Sequence, residues 1–394
     1  MRVLMISDVY FPRVNGVSTS IQTFRRELAA LGHESTLIAP AYPAASEDEA
    51  DVRRVRSRYL PFDPEDRMMI PAQLRRLERQ LASEQYDLLH IQTPFVAHYL
   101  GVRLADRLKL PRVETYHTFF EEYLYHYIPL LPRAWLQGIA RRVSRAQSRD
   151  VDALIVPSIA MRERLADYGI ETPMHVLPTG IGTAGFSRGD GVAFRRAHGI
   201  APDRPLLLFV GRVAFEKNID FLVRAFEIAL RSVPGMLLVI AGEGPASGHL
   251  KKEVARRKLH AHVRFVGYLE RTRALPDCYS AADAFVFASR TETQGLVLLE
   301  AMALGLPVIS TAVMGTRDIV GPRRGALVPE DNEADFAAAM IRFAREPALA
   351  KTLSQQALAY AREWRADAMA RRLAHVYEGI AGQDLAPARL AMTA

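Results

Sequence analysis

Short apolar runs alternate with amphipathic helical stretches along most of this chain, and this alternation constrains the fold more than any other feature. Runs that stay apolar throughout predict strands buried on both faces. Strands of this kind, separated by helices, form parallel sheets covered by helices. The sequence therefore predicts an α/β protein. The predicted strands of the first half are 3–6, 35–39, 88–92, 113–116 and 153–157, and its first long helix is 20–31.

The alternation starts a second time after a glycine-rich interval that begins at residue 179. Two Rossmann-like domains, joined near residues 184–195, follow from this restart. We expect one domain over 1–184 and a second over 185–368. A last amphipathic helix could pack on either domain, and we assign residues 369–394 to the first. The predicted strands of the second domain are 206–210, 236–241, 263–266, 284–288 and 308–311.

Composition and missing motifs exclude several classes of protein. The 394 residues are 49% hydrophobic without an apolar stretch of transmembrane length, which predicts compact soluble domains. A single cysteine, Cys278, excludes an intramolecular disulfide framework and a zinc site built from cysteines. The chain opens on a strand without the pattern of a secretory signal, so we expect a cytoplasmic protein. No Walker loop, zinc-helix histidine pair or Gly-x-Ser-x-Gly turn occurs.

Basic residues cluster in two segments that have few acidic residues to balance them. This distribution is more informative than the net charge of +7. The first segment is residues 53–58, and the second is residues 133–149, where arginines stand beside Trp135, Leu136 and Ile139. The second stretch either lies on an anionic membrane surface or forms a solvated helix face. No recognition motif accompanies the charge, so a nucleic-acid partner is not expected. The arginines of the second stretch are Arg133, Arg141, Arg142, Arg145 and Arg149.

Two glutamates, Glu292 and Glu300, lie eight residues apart in the second predicted domain, and the second stands within an apolar run. The run predicts a buried helix that Gly305 ends, followed by a strand that Pro307 opens. Because burying an unpaired carboxylate is costly, we expect Glu300 to face a cleft where a ligand hydroxyl or a basic group binds it. A salt bridge within the helix, or a contact with the helix N-terminus, is the structural alternative.

Ligands bind at the carboxyl ends of the strands in such sheets, so the loops that follow the predicted strands are candidate sites. The loop after strand 206–210 carries Arg212 and Lys217, and a planar guanidinium beside a compact ammonium group suits a diphosphate. Lysine is rare in this chain, with 6 lysines against 45 arginines. The alternative is a surface ion pair between one of these cations and Glu216.

Two loops of the first predicted domain are also candidates. Gly16 lies near a helix start that Ser18 or Thr19 would cap, and backbone amides at such a turn suit a phosphate. His117 follows a predicted strand, where a neutral imidazole would donate a hydrogen bond to a sugar hydroxyl. The aromatic series within residues 119–127 would line an acceptor pocket. The alternatives are a loop histidine without a ligand and aromatic side chains that belong to the core.

Taken together, these segments resemble the retaining glycosyltransferases of family 4, from the first strand to about residue 330. The resemblance implies a GT-B fold, in which two Rossmann-like domains with parallel sheets face each other across a cleft. It also implies that the N-terminal domain binds the acceptor and the C-terminal domain binds the nucleotide sugar. The segments that carry the resemblance are 10–12, 15–17, 156–158, 177–181, 211–212, 216–218, 241–245 and 292–300.

A narrower likeness is to bacterial diacylglycerol glucosyltransferases and related lipid mannosyltransferases. It is carried by residues 90–93 and 115–118, followed by Glu122 and Tyr123. The likeness implies transfer of a hexose from a UDP- or GDP-linked sugar to a lipid at the cytoplasmic face of the membrane. Gly182 departs from the family pattern, since relatives commonly carry an acidic residue there, and this puts the hydrogen bonding of that linker in doubt.

The resemblance implies a role for each candidate residue. Arg212 and Lys217 would hold the diphosphate, with amides near Gly16 assisting. Glu300 would accept hydrogen bonds from the ribose, and Glu292 would hold hydroxyls of the donor sugar. His117 would contact that sugar from the other domain. The remaining donor-binding residues that it implies are Gly211, Tyr268, Leu269, Thr293, Gln294, Gly295 and Leu296.

The chemistry that the resemblance implies is attack on the front face of the donor sugar. The departing phosphate oxygen would accept the proton of the acceptor, so the protein would supply no nucleophile. Glu292 and Glu300 would then be binding groups, unlike the two catalytic carboxylates of glycoside hydrolases. No metal and no cofactor are implied beyond the nucleotide sugar, which is a co-substrate.

Three alternatives remain open from the sequence. The same transfer could use a soluble glycan or small metabolite as acceptor, and a nucleotide-sugar epimerase could share the two-domain architecture. A protein that only binds the donor is the third. The segment around Glu292 argues against the epimerase, and the complete donor constellation argues against a silent binding protein. We expect a lipid acceptor and a peripheral contact of residues 133–149 with the inner face of the cell membrane.

Overall fold

The structure is a computed structural model that describes residues 1–43, 51–60, 63–117, 133–182 and 187–382. The chain divides into two compact units. Unit 1 contains Met1–Gly180 and the C-terminal helix Ala366–Ala381, and unit 2 contains Ile181–Arg365. The chain therefore passes from one unit to the other twice, within a few residues of the predicted boundaries at 184 and 368. The aromatic series at 119–127, with Glu122 and Tyr123, lies outside the described residues.

The described part of unit 1 contains nine strands. They are β1 Arg2–Ile6, β2 Glu34–Pro40, β3 Val52–Val55, β4 Ser57–Leu60, β5 Asp63–Met69, β6 Leu88–Ile91, β7 Arg112–Thr115, β8 Ala153–Val156 and β9 Met174–Val176. Seven of them form one sheet in the order β3-β2-β1-β6-β7-β8-β9, and each neighbouring pair is parallel. β4 and β5 form a separate antiparallel hairpin. The strand order reverses between β1 and β6, which makes their carboxyl ends the switch point of this sheet.

The helices of unit 1 cover the sheet. They are α1 Gly16–Ala30, α2 Pro71–Ser83, α3 Val96–Leu108, α4 Arg133–Arg149, α5 Ile159–Asp167 and the C-terminal helix. α1 begins at Gly16 because Asn15 caps it: Asn15 Oδ1 accepts from Ser18 N at 2.9 Å, and Ser18 Oγ accepts from Asn15 N at 2.9 Å. The expected cap at Ser18 or Thr19 was therefore wrong, because Ser18 is the third helical residue and completes a capping box.

The C-terminal helix is anchored to unit 1 by a buried hydrogen-bonded chain. His90 Nδ1 lies 2.6 Å from Tyr377 Oη, and His90 Nε2 lies 2.7 Å from Thr115 Oγ1. Burial, with a smaller contribution from the charge of His117, lowers the pKa of His90 to about 3, so the imidazole is neutral. His90 is thus a structural residue that joins two sheet strands to the last helix.

The sheet of unit 2 has six parallel strands among the residues that the structure describes. They are β10 Leu206–Val210, β11 Leu237–Ala241, β12 Val263–Gly267, β13 Ala284–Phe287, β14 Val308–Ser310 and β15 Ala326–Leu327, in the order β12-β11-β10-β13-β14-β15. The order reverses between β10 and β13, which are neighbours in the sheet. Rings of Phe209, Phe285 and Phe287 stack in the core, with centroids 5.8 Å and 6.0 Å apart.

Helices and two 3₁₀ turns, Phe215–Lys217 and Arg362–Trp364, complete unit 2. The helices are α6 Gly191–Ala197, α7 Ile219–Leu230, α8 Ser247–Arg256, α9 Ala274–Ala281, α10 Leu296–Ala303, α11 Thr316–Val320, α12 Glu333–Arg345 and α13 Pro347–Ala361; the C-terminal helix of unit 1 is then α14. Within the described ranges, no helix has the length and apolarity needed to cross a bilayer.

The predicted α/β class and its parallel sheets are confirmed. Each predicted strand is present, and the apolar run after Glu292 forms α10 and β14 as expected. The strands that prediction missed are β3, the β4–β5 hairpin, β9 and β15. β3 reads Val-Arg-Arg-Val, and its two valines are buried while the arginines are half-buried, so the basic stretch 53–58 belongs to strands.

Candidate functional site

The loops that follow β10 and β13 meet at the switch point of unit 2, the position where parallel sheets of this order bind ligands. Lys217 ends the 3₁₀ turn after β10, and its Nζ forms an ion pair with Oε1 of Glu292, which follows β13. Their side chains are 21% and 17% exposed. The two predicted residues are therefore in contact because their strands are neighbours. The sequence had offered Glu216 as a partner for the cations, and Lys217 instead pairs with Glu292.

Close contact between two backbones fixes the loop after β10. A Cβ atom on Gly242 would lie 2.0 Å from the carbonyl oxygen of Gly211, and one on Gly244 would lie 2.5 Å from that of Val213. The two loops also share a hydrogen bond from Val213 N to Glu243 O at 2.8 Å. Only glycine fits at these two positions. The motif 241–245 thus supports the loop that presents Arg212 and Lys217.

The turn after β13 is fixed in a similar way and leads into α10. Gly315 N donates to Glu292 O at 2.9 Å, and a Cβ atom on Gly315 would lie 2.1 Å from Thr293 O. Gly295 has φ of +92°, the left-handed region, and stands at the N-terminus of α10 without a side-chain cap. The first amides of α10, from Leu296, have no acceptor within the helix. The positive end of the helix dipole therefore lies beside Glu292.

Glu300 lies in the second turn of α10 and is 4% exposed. Arg271 Nη2 donates to its Oε1 at 2.5 Å, and Tyr279 Oη donates to its Oε2 at 3.3 Å. Burial is the largest single effect on Arg271 and lowers its pKa, but the charge of Glu300 and its hydrogen bond, with smaller contributions from Tyr279 and Tyr268, together outweigh burial, and the pKa is raised. For Tyr279, burial raises the pKa well above its usual value. The expected basic partner is thus present, and it comes from the loop after β12 and not from within the helix.

Arg271 and Tyr279 were not predicted as site residues. Arg271 stands in Glu-Arg-Thr-Arg, residues 270–273, where neighbouring charges hide which side chain turns inward. Tyr279 lies in α9 and resembles any core tyrosine. The predicted Tyr268 and Leu269 also follow β12, and Tyr268 is exposed while Leu269 packs against the core.

The carboxyl edge of the sheet in unit 1 carries the other two predicted residues. His117 follows β7, and its Nε2 lies 3.2 Å from Oε1 of Gln92, which follows β6. Burial lowers the pKa of His117 to about 4, so the ring is neutral at physiological pH. Gly16 is exposed at the start of α1, with nothing within 4 Å of the position that a Cβ would take. This edge of the sheet therefore carries the neutral imidazole of His117, which can donate a hydrogen bond, and the exposed start of α1 at Gly16.

The structure places the predicted residues at two sheet edges. Unit 2 brings together the loops with Arg212, Lys217, Tyr268, Glu292 and Gly295, and unit 1 holds His117 and Gly16 at its own edge. In the part of the chain that the structure describes, no group of three histidine, cysteine, aspartate or glutamate side chains is placed to hold a metal ion.

Comparison with known sequences gives two family matches. The family described as "Glycosyltransferase Family 4" matches residues 14–184, and the one described as "Glycosyl transferases group 1" matches residues 192–360. The alpha-monoglucosyldiacylglycerol synthase of Streptococcus pneumoniae is 34% identical over 318 residues, which are 79% of this chain and 71% of that protein.

Two more proteins extend the comparison. The GDP-mannose-dependent alpha-mannosyltransferase of Mycobacterium tuberculosis is 30% identical over 341 residues, which are 84% of each chain. Among solved structures, the sucrose-phosphate synthase from Thermosynechococcus elongatus matches with a TM-score of 0.78 and 23% identity, over 96% of this chain and 98% of that one. This last match supports the fold alone.

Replacing Arg271 with alanine is expected to lower the free energy of unfolding of unit 2 by about 1–3 kcal/mol, because Glu300 would remain buried without its cation. Arg290→Ala is the matched control, since Arg290 forms an exposed pair with Asp331 at 2.8 Å and 2.9 Å and should cost less than about 1 kcal/mol. Urea denaturation followed by circular dichroism compares the two. Equal losses would contradict this account, and Glu300→Gln should restore stability to the Arg271→Ala protein.

Proposed function

The chain belongs to the glycosyltransferases of family 4, which have the GT-B fold, and we propose that it is a retaining hexosyltransferase with a lipid acceptor. The donor would be a UDP- or GDP-linked hexose, and the acceptor diacylglycerol or a glycolipid. The observation that carries the proposal is the Lys217–Glu292 pair, because it sets a cation for a diphosphate beside a carboxylate for sugar hydroxyls. The names of the two curated relatives support a glucolipid product and a nucleotide-sugar donor.

Arg212 and Lys217 would bind the diphosphate of the donor. The negative charge on the diphosphate grows as the glycosidic bond breaks, so cations already fixed at the loop stabilise the transition state more than the ground state. The rigid contact of Gly242 and Gly244 with this loop keeps the cations in position. These two side chains supply the charge that a metal ion supplies in other transferases, so the proposed reaction uses no metal and no further cofactor.

Glu300 would accept hydrogen bonds from the ribose hydroxyls, with Arg271 and Tyr279 holding its carboxylate in one orientation. Tyr268 and Leu269 would lie near the base. Glu292 and the first amides of α10 would bind the hydroxyls of the transferred sugar.

The reaction proposed is attack on the front face of the donor sugar. The acceptor oxygen forms its bond to the anomeric carbon on the face from which the bond to the diphosphate oxygen breaks. That phosphate oxygen takes the proton of the acceptor, which balances the step and retains the configuration. Glu292 is engaged by an ammonium group, which suits a binding residue better than a nucleophile. His117, neutral in this setting, would donate a hydrogen bond to a sugar hydroxyl.

Helix α4 would provide the membrane contact, at the inner face of the cell membrane of a cytoplasmic protein. Its inward side is formed by Leu136 and Ala140, which are buried. Its outward side begins with Trp135 and Ile139, which are 69% and 46% exposed. The same side continues with Arg142, Arg145 and Arg149, all exposed, while the side chain of Arg133 lies outside the described residues. Apolar groups next to arginines on one face suit a surface of anionic lipids.

Lys217→Ala is expected to lower kcat by about 100-fold or more, because the lost charge acts mainly in the transition state. The melting temperature should change little. Transfer from UDP-glucose and GDP-mannose to diacylglycerol in vesicles provides the assay, and proton NMR of the product gives its anomeric configuration. Lys351→Ala, which removes an exposed lysine, is the control. Full activity in a folded Lys217→Ala protein, or an inverted product, would refute the mechanism; transfer only to soluble sugars would replace the lipid acceptor.

Glu292→Gln is expected to tighten the binding of free UDP or GDP several-fold while it lowers turnover, because Lys217 no longer has to leave a carboxylate to reach the diphosphate. Isothermal titration calorimetry with the free nucleotides measures the first effect and the transfer assay the second. Asp331→Asn, which breaks the exposed pair with Arg290, should change neither. Weaker nucleotide binding in the Glu292→Gln protein would argue against the proposed exchange of partners.

Neutralising Arg142, Arg145 and Arg149 together with glutamine is expected to reduce sedimentation with vesicles of anionic lipid, most strongly at low salt. A control protein loses the same charge from unit 2 through Arg188→Gln, Arg196→Gln and Arg231→Gln, which are exposed there. If both proteins bind vesicles as the parent does, α4 does not contact the membrane. Reduced sedimentation in the control alone would place the contact in unit 2.

A further inference from the structure

The hairpin formed by β4 and β5 carries part of the basic stretch that the proposed function does not use. Its register sets Tyr59 opposite Arg67. Arg67 is only 8% exposed, although it lies in a two-stranded hairpin outside the main sheet. A buried arginine at such a position needs an explanation, because arginine is among the residues least often fully buried without a partner.

Aromatic rings enclose the guanidinium of Arg67. Its Cζ lies 4.1 Å from the centroid of the Tyr59 ring and 5.6 Å from that of the Tyr42 ring. Its Nε donates to Ser57 Oγ at 2.8 Å, and its Nη2 makes only a long contact of 3.5 Å with Ser57 O. Among the residues that the structure describes, no group forms a hydrogen bond with its buried Nη1 and no carboxylate forms an ion pair with Arg67, so no described side chain balances its charge.

Burying a cation is costly, and a guanidinium cannot shed its charge in a protein. The contacts with aromatic faces and the hydrogen bond to Ser57 offset part of that cost. The two N–H groups on Nη1 still lack acceptors among the described residues. An anion that supplies two oxygen atoms would satisfy both the charge and the unused donors.

The position of this arginine connects it with the sheet of unit 1. Ser57 Oγ, which accepts from Arg67, donates to Ala41 O at 2.6 Å, and Ala41 directly follows β2. A second guanidinium is held at the same strand end, where Arg54 Nη1 donates to Pro40 O at 3.1 Å. The carboxyl end of β2 lies on the same edge as His117, three strands away, or roughly 14 Å at the usual strand spacing.

We propose that Arg67, enclosed by Tyr42 and Tyr59, binds a phosphate group of the acceptor. The planar fork of arginine matches two phosphate oxygens, which a lysine at this position could not do. Tyr59 is 56% exposed and is therefore the ring free to turn aside and admit the phosphate. The anion site stands on its own geometry, and only the assignment of its phosphate to the acceptor rests on the proposed function. Among the lipid acceptors of the proposed function, the site would then favour one that carries a phosphate group over uncharged diacylglycerol.

The test of the anion site measures the rise in melting temperature with inorganic phosphate and with glycerol phosphate at constant ionic strength. Phosphate should raise the melting temperature of the parent protein clearly more than that of Arg67→Met, in which only the cations proposed for the donor diphosphate remain. Without phosphate, Arg67→Met should melt no lower than the parent, since it removes an unbalanced buried charge. Arg58→Met, which removes an exposed arginine of the same hairpin, should keep the full response. No response in the parent, or the same response in Arg67→Met, would overturn the site.

A second variant tests the site in case the Arg67→Met protein does not fold. Arg67→Lys keeps the charge and loses the fork, and it should bind phosphate about tenfold more weakly. Phosphate binding unchanged by this substitution would also overturn the site.

Transfer assays then test whether the phosphate that binds at Arg67 belongs to the acceptor. Phosphatidylglycerol vesicles and a soluble hexose phosphate distinguish a lipid source of the phosphate from a free one, with diacylglycerol vesicles as the uncharged arm. Transfer that requires a phosphorylated acceptor and falls in Arg67→Lys supports the assignment. If transfer to diacylglycerol is the same in the parent protein and in Arg67→Lys, the assignment of the phosphate to the acceptor is wrong, while the proposed function stands. Phosphate binding without any transfer removes the proposed function and leaves the anion site.

Discussion

The parallel pairing of β10 with β13 is the constraint on which the candidate site depends. These strands are far apart in the chain, and their pairing sets the ends of two loops side by side at the point where strand order reverses. Lys217 and Glu292 meet there, and each loop is then fixed by glycines that leave no room for a side chain. Topology brings the charges together, and backbone packing keeps them there.

Much of this arrangement was predictable because its signals are local. Apolar runs identified five strands of each main sheet, and the rule that ligands bind at strand ends identified Arg212 and Lys217 as candidates. Glu292 was identified by its spacing from Glu300 and by the family resemblance. That Lys217 and Glu292 form a pair was not predictable, because it depends on which strands become neighbours. Glu300 shows the same limit: its burial in an apolar helix was expected, but its partners come from a loop and a helix that nothing in the sequence connects with it.

Strands that carry charge were missed for a physical reason. β3 buries only its two valines, and among the described side chains of the β4–β5 hairpin only Arg67 and Met69 are buried, so the apolar signal of these strands is weak. In the sequence, the stretch 53–58 is distinguished by its charge, and its strands become visible only in the structure. Within it and just beyond it, the structure separates arginines that face water, such as Arg58, from Arg67, which is enclosed. Composition does not show which of these arginines is buried, and only a buried arginine needs a partner for its charge.

The C-terminal helix changes the order in which this protein can be completed during synthesis. Unit 1 contains the first 180 residues and α14, and α14 reaches its sheet through the contact of Tyr377 with His90. All residues of unit 2 leave the ribosome before α14 does. Unit 1 therefore begins to be translated first but cannot form all its native contacts until α14 has been translated. The buried imidazole of His90 gains its hydrogen-bond partner, Tyr377, only at that stage. Unit 2, which is continuous in sequence, can reach its native contacts earlier.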